Sequence, residues 1–336
     1  SEIAGSSFRY TANPLMILRS RAIVAALLVF HNLSQLVNPL LPMGIVALVL
    51  AFLPFLMVSS MRFTAHNSIY RNIIFNFKRS YGQAFGCYTN FIFLFLTAAL
   101  SFLLLSQFGE QLAAQVNNPK LLETIILSGF GGMVLLYILS VPFYSWRTSK
   151  WMMENLSWGN TPFAFKTSVG SFYSAYCFLF LKVIAFLGLL AFVCSEAITT
   201  FGIDLNEYAE NYADYRGVSI VTVLLLIYAF YIFIYAGLTS LKFNLRLNNS
   251  ELGGMTIKSD LKMSKLGWIY ISNILIVIAT LGLATSWAKV RLERYRLGVL
   301  SFTNTASLDE IAAKADDNPG AMGDAMNDFF DFDFSL

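Results

Sequence analysis

The side chains on which most enzymes and metal proteins depend are scarce in this sequence. Its 336 residues include two histidines, His31 and His66, and three cysteines, Cys87, Cys177 and Cys194. So few histidines exclude a histidine-rich metal site, and no H-E-x-x-H, G-x-S-x-G or P-loop pattern occurs. The cysteines have no metal-ligand spacing and sit in or beside apolar runs, so they are expected to be reduced packing residues, with no cofactor. Charge is equally sparse, at 13% of residues. The net +3 is distributed among loops without an aromatic-basic patch, which argues against nucleic acid as a partner. The first residues, "SEIAGSSFRY", lack a basic stretch followed by an apolar one, so no cleavable export signal is expected.

What the chain has in quantity is apolar residues, 57% of the total, with a mean hydropathy of +0.61. That composition belongs in a bilayer. Stretches near 42–60, 87–107, 124–146, 172–198 and 217–240 reach the roughly 18–20 residues that a spanning helix needs. A shorter run covers 20–37 and a seventh lies near 266–287. None alternates as barrel strands do. The expected fold is therefore a mainly α-helical membrane protein with about seven transmembrane segments. "GFGGM" (129–133) lies inside one run and reads as helix packing through small residues.

Loop charge gives sidedness. Residues 61–86 carry Arg62, Arg71, Lys78 and Arg79 with no acid, and 147–171 and 241–265 also have a basic excess. The intervening loops are acidic, with Asp204, Glu207, Glu210 and Asp214 against Arg216 in one of them. Lys/Arg excess marks the cytoplasmic side, so the three basic loops and the N-terminus fall inside. All five tryptophans lie near predicted span ends, as an interfacial aromatic belt requires.

Each inside loop repeats one alternating motif. Phe75-x-Phe77-Lys78 recurs 88 positions later as Phe163-x-Phe165-Lys166, and 92 further on as Met255-x-Ile257-Lys258. At the 88-residue offset Asn67 matches Asn155, Asn72 matches Asn160 and Arg62 matches Lys150. Weaker copies are "SSFRYT" near the start and "LSFTN" around Phe302. Turn-forming pairs such as Gly159-Asn160 and Gly253-Gly254 precede the motifs, so each copy reads as a β-hairpin. One hairpin is marginal in water, but several side by side form a small cytoplasmic β-layer under repeated helix pairs. A single polytopic domain over 1–305 and an acidic tail over 306–336 follow.

Few residues stand out as functional candidates. Lys182 lies ten positions, or about 15 Å, inside its apolar run, where a cation needs a counter-charge, a carbonyl or a wet cavity. Asn90 and Asn273 could line the same cavity. Tyr208, Tyr212 and Tyr215 form one face of an amphipathic helix on the periplasmic side. Phe329, Phe330, Phe332 and Phe334 close the acidic tail as an aromatic hook suited to docking.

The stretches "FYSWRTSKWMMENLSWGNTPFAFK" (143–166) and "TLGLATSWAKVRLERYRLG" (280–298) resemble the YjgN family of bacterial inner-membrane proteins, a domain-of-unknown-function family. The resemblance runs from about residue 5 to 305. It implies a multi-pass location in the bacterial inner membrane and brings no catalytic residues. It also hints at a partner of the CAAX-processing type of membrane zinc metallopeptidase. Members usually carry a further helix before the first strand motif, so a shortened N-terminus is expected.

These readings favour a non-enzymatic accessory or scaffold protein acting through a partner complex. The rival is a transporter or channel for a lipid or small solute with Lys182 near its site. One further segment, 267–295, sets two rules against each other. A single crossing would place Lys289, Arg291, Arg294 and Arg296 outside, against the positive-inside bias, so a re-entrant segment turning near Thr280-Leu281-Gly282 is expected.

Overall fold

A helix that emerges from a membrane must satisfy its last carbonyls, and three times in this chain an asparagine side chain does so. Asn67 Nδ2 donates to the Phe63 carbonyl at 2.8 Å, Asn155 to Trp151 at 2.8 Å and Asn249 to Leu245 at 2.7 Å. After each comes a three-residue strand, a two-residue turn and a five-residue strand. The turns need the left-handed region. Arg71 and Asn72 have φ of 49° and 61°, Gly159 has 56°, and Gly253 and Gly254 have 53° and 87°.

The computed structural model describes residues 2–3, 6–11, 14–38, 40–89, 92–93, 96–97, 100–101, 119–200 and 212–303. In chain order the elements are β1 (Glu2–Ile3), β2 (Ser6–Tyr10), α1 (Pro14–Val37), α2 (Leu41–His66), β3 (Ser68–Tyr70), β4 (Ile73–Phe77) and α3, described continuously over 81–89. Then come α4 (Pro119–Glu154), β5 (Leu156–Trp158), β6 (Thr161–Phe165), α5 (Val169–Thr200) and α6 (Tyr212–Asn248). The last are β7 (Ser250–Leu252), β8 (Met255–Ser259), α7 (Met263–Ala279), α8 (Thr285–Gly298) and β9 (Leu300–Thr303). Contacts divide the chain into two compact units. One holds residues up to Lys166 together with Ser250–Thr256; the other holds Thr167–Asn249 and Ile257–Thr303.

In the first unit the hairpins pair side by side as an antiparallel meander in sequence order. Register sets the faces. Phe75 sits opposite Trp158 and Phe163 opposite Leu252, so the F-x-F residues share one face with Tyr70 and Met255. Rings meet along it: Tyr70 and Phe75 lie 5.7 and 6.4 Å from Trp158, and Phe75 lies 6.5 Å from Phe163. Trp158 is buried, and its indole N–H donates to the Tyr70 carbonyl at 3.3 Å. The opposite face carries Asn76, Ser157, Ala164, Glu251 and Thr256, as expected of an antiparallel sheet with one wet side. The motifs expected as strands over 75–78 and 163–166 stop one residue early, at Phe77 and Phe165, leaving Lys78 and Lys166 just beyond. The third, 255–258, lies wholly inside β8.

The sheet's aromatic face continues into a helical core. Phe77 packs edge-on against Trp151 at 5.4 Å, beside Val58, Ala84, Cys87 and Tyr88. The indole of Trp151 donates to Ser80 Oγ at 2.8 Å.

The second unit is built around α6, which packs with both α5 and α7. Phe186 stacks on Phe233 at 4.1 Å and Tyr235 lies 5.2 Å from Tyr270. At its end α7 reverses through a turn with positive φ at Leu281 (49°) and Gly282 (91°), and α8 returns antiparallel. The reversal falls where the charge conflict places it.

Four helices are long and apolar enough to cross a membrane, counted among the described residues: Leu41–His66, Leu127–Glu154, Val169–Glu196 and Thr222–Asn248. They mark the chain as a membrane protein. Ala22–Val37 and Met263–Ala279 are shorter apolar helices, and the stretch expected at 87–107 falls largely outside the described residues. The surface of α5 is apolar on several sides, with Phe178, Leu181, Ile184 and Phe192 exposed, as suits a helix facing lipid. Added side-chain carbons at Gly129, Gly131 and Gly132 would meet nothing among the described residues, so the small-residue contact expected there is not seen.

Candidate functional site

Along α6 runs a stripe of small residues, Ala229, Ala236, Gly237 and Ser240, with α5 on one flank and α7 on the other. Although Ala236 and Ser240 are themselves buried, the stripe forms part of the lining of a groove of about 1120 Å³. This exceeds the roughly 300–1,000 Å³ usual for small-molecule pockets. The residues of α6 that line it recur at helical spacing from Ala229 to Asn248, about 29 Å along the axis. Gly237 is in close contact with both flanks: a Cβ there would come within 2.7 Å of Leu179 Cδ1 and 3.2 Å of Met263 Cε, so an added side chain would require the ends of those two flexible side chains to shift.

The groove is graded in polarity. Phe186, Ile232, Phe233 and Ile271 line the end away from the strands, and Asn244, Asn248, Asp260 and Lys262 the end near them. Much of that polar end is already committed. Asn244 Oδ1 accepts from the Leu261 N–H at 2.9 Å and from Ser259 Oγ at 2.7 Å, while its Nδ2 donates to the Leu261 carbonyl at 3.0 Å. Asn248 Oδ1 accepts from the Ser259 N–H at 2.6 Å and its Nδ2 returns a bond to the Ser259 carbonyl. The two asparagines, one turn apart on α6, thus latch the segment that leads into α7. Lys262 lies 4.0 Å from Asp260.

Lys182 stands differently. It is exposed on the α5 wall, and its ammonium sits 4.6 Å from the centre of the Phe178 ring, with no carboxylate partner among the described residues. Phe178 lies one turn nearer the strand end of α5, so the side chain leans that way, as helical side chains do toward their N-terminus. Contacts across α6 fix its level. Leu179 faces Gly237, Phe186 faces Phe233, and a Cβ on Gly267 would lie 3.8 Å from that of Ala236. Lys182 therefore sits near the level of Gly267 and Trp268, and Trp268 is exposed in the same groove. An exposed tryptophan at a helix flank marks the headgroup boundary. With 37 residues, α6 is about 55 Å long, more than the 40–45 Å of a whole bilayer.

Asn273 does not line this groove. It is buried between α7 and α8, donating to the Ala288 carbonyl at 3.1 Å and accepting from Arg291 at 2.9 Å. Arg291 also reaches Ser272 Oγ at 2.7 Å and lies over Trp287. At the tip of this hairpin the backbone N–H groups of 280 to 285 all find acceptors, although Leu281 and Leu283 are 95% and 89% exposed. Local saturation of the backbone under bare leucines is what a turn in hydrocarbon requires.

Phe75, Phe77, Lys78, Phe163, Phe165, Lys166 and Met255 fall in the first unit, and Ile257 and Lys258 in the second; none of them is among the residues that line the groove. Tyr212 and Tyr215 lie in the first turn of α6, continuous with a long apolar helix. Asn90, Tyr208, Phe329, Phe330, Phe332 and Phe334 lie outside the described residues. The latch residues Asn244 and Asn248 and the clamp residue Arg291 escape sequence reasoning, though the i, i+4 asparagines of "KFNLRLNN" signal the former.

The family model for DUF898, described as a bacterial protein of unknown function, matches residues 1–329. No curated protein and no solved structure matches the chain.

Proposed function

The chain belongs to DUF898, the family commonly called YjgN-like bacterial membrane proteins, and from that premise we propose that it is a multi-pass inner-membrane carrier that holds an amphiphilic small molecule in the groove along α6. The observation that carries this reading is Lys182, a cation without a carboxylate partner among the described residues, on the wall of a groove polar at one end and apolar at the other. An amphiphile is the ligand class that matches both ends. A basic side chain between helices near the headgroup level is a usual contact for a polar head.

Topology supports the membrane arrangement. Two helices lie between β2 and β3, between β4 and β5, between β6 and β7, and between β8 and β9, and the strands they join are neighbours in the sheet. Each helix pair therefore leaves one strand and returns to its neighbour. This favours four pairs, α7–α8 being re-entrant, over seven separate crossings, and basic loops put the sheet in the cytoplasm. The accessory reading, with a metallopeptidase partner, draws its support from sequence features whose described parts do not line the groove. No catalysed reaction is proposed.

Purification of the full chain in mild detergent, with identification of everything retained, tests the reading. An amphiphile should be recovered near one per chain and be lost when Ala229→Trp fills the apolar end. Recovery of a stoichiometric protein partner with no amphiphile would replace the carrier by the accessory reading.

A further inference from the structure

We infer that the groove's ligand is a phospholipid of net negative charge from the cytoplasmic leaflet, with its phosphate at Lys182 and its acyl chains along Phe186, Ile232, Phe233 and Ile271. This rests on the carrier reading and specifies its ligand.

Charge selects the headgroup. Of the groove's three described ionisable side chains, Lys262 and Asp260 approach to 4.0 Å and offset each other, which leaves the Lys182 ammonium as net charge. Its described contact, the Phe178 ring, attracts a cation without neutralising it. A compact ammonium suits a phosphate oxygen as a point-charge donor. The carboxamides of Asn244 and Asn248 are engaged with the Ser259–Leu261 backbone and Ser259 Oγ, so a ligand bound by amide recognition would have to displace the latch.

Depth selects a lipid over a free anion. Lys182 lies near the level of Trp268, where phosphates of a bilayer leaflet are found, and it leans toward the strand end, the cytoplasmic direction. Beyond it, away from the strands, the lining turns aromatic and aliphatic. A soluble phosphate has nothing to place there. Basic sites between membrane helices on the cytoplasmic side are the usual receptors for anionic headgroups.

The test uses full-length protein in nanodiscs of phosphatidylcholine and phosphatidylglycerol in equal amounts, with lipids retained after release into detergent counted by native mass spectrometry. The wild type is expected to retain phosphatidylglycerol preferentially. Lys182→Leu should reduce that preference about fivefold, in keeping with one basic residue at a membrane surface, and Lys182→Arg should keep it. Retention of lipid without headgroup preference, or preference for phosphatidylcholine, overturns the anionic assignment while the carrier reading stands. Preference undiminished in Lys182→Leu overturns the role of Lys182. Wild-type protein that retains no lipid overturns both. Added inorganic phosphate that displaces phosphatidylglycerol from Lys182 would make the ligand a free anion and overturn the lipid.

Discussion

Two helix ends in this molecule follow the same plan and finish differently. The last turn of α4 is capped by Asn155 and that of α6 by Asn249, each bonding the carbonyl four residues back. In the first unit that residue is Trp151, which is 3% exposed and wedged among Phe77, Tyr88 and Ser80. In the second it is Leu245, which lines the groove. Asn155 also reaches Gln83 on α3 at 2.9 Å, tying two helices together. On α6 the capping asparagine is joined by Asn244 and Asn248, which hold backbone. The same arrangement of helix end, asparagine cap and strand thus serves as a packed joint in one place and borders a cavity in the other. The difference lies in what stands one turn before the cap and in the small residues further along α6.

The sharpest way to break this comparison is to empty the packed joint. Trp151→Ala removes a buried indole, its ring contacts and its hydrogen bond to Ser80. It should cost about 3–5 kcal/mol, read as a fall in unfolding temperature in detergent. Leu245→Ala, which already faces open space, should cost about 1 kcal/mol or less. Equal losses at the two positions would mean that the groove is packed as tightly as the joint.

A second test concerns the groove's α7 flank. If the turn at 280–284 lies in hydrocarbon, Leu283→Lys should destabilise the protein in nanodiscs by about 2.5–3.5 kcal/mol, with Leu283→Met as the neutral control. A tip in water would tolerate lysine or gain from it. That result would remove α7 from the bilayer and the groove from reach of lipid tails.

The sheet is readable in the sequence because its information is local. Period-two alternation in Phe75-x-Phe77 and Phe163-x-Phe165 places each aromatic on the same face, and the turn pairs set the register. The Asn67 and Asn155 match is likewise visible, although its meaning as a helix cap needs the carbonyl it binds. The reversal at Thr280-Leu281-Gly282 lies where the charge conflict within 267–295 leads one to expect a turn. The groove is not readable. Ala236, Gly237 and Ser240 are buried, and how closely Leu179 and Met263 approach Gly237 is set by helices distant in sequence. Asn273 reads as an isolated membrane polar group because its partners, Ala288 and Arg291, lie across the turn. Lys182 reads as mid-span when counted from the start of its apolar run. Its level relative to Trp268 needs helices adjacent in space but distant in sequence.

The smallest expected effect bears on why the hairpins carry a lysine at all. Lys166 pairs with Glu251 across β6 and β7, with side chains 66% and 31% exposed. Lys78 and Lys258 occupy the same place in their motifs, yet no ion pair is described for either. The common property of the three lysines is positive charge in loops between apolar helices, the pattern that biases orientation during insertion. An exposed pair of this kind is worth about 0–1 kcal/mol. Lys166→Met should therefore lower stability by less than about 1 kcal/mol, and a double-mutant cycle with Glu251→Gln should give a coupling that fades near 1 M salt, where screening acts over about 3 Å. A coupling of several kcal/mol that survives high salt would mean that this face is shielded from water, and that the polar side of the sheet is covered in the native assembly.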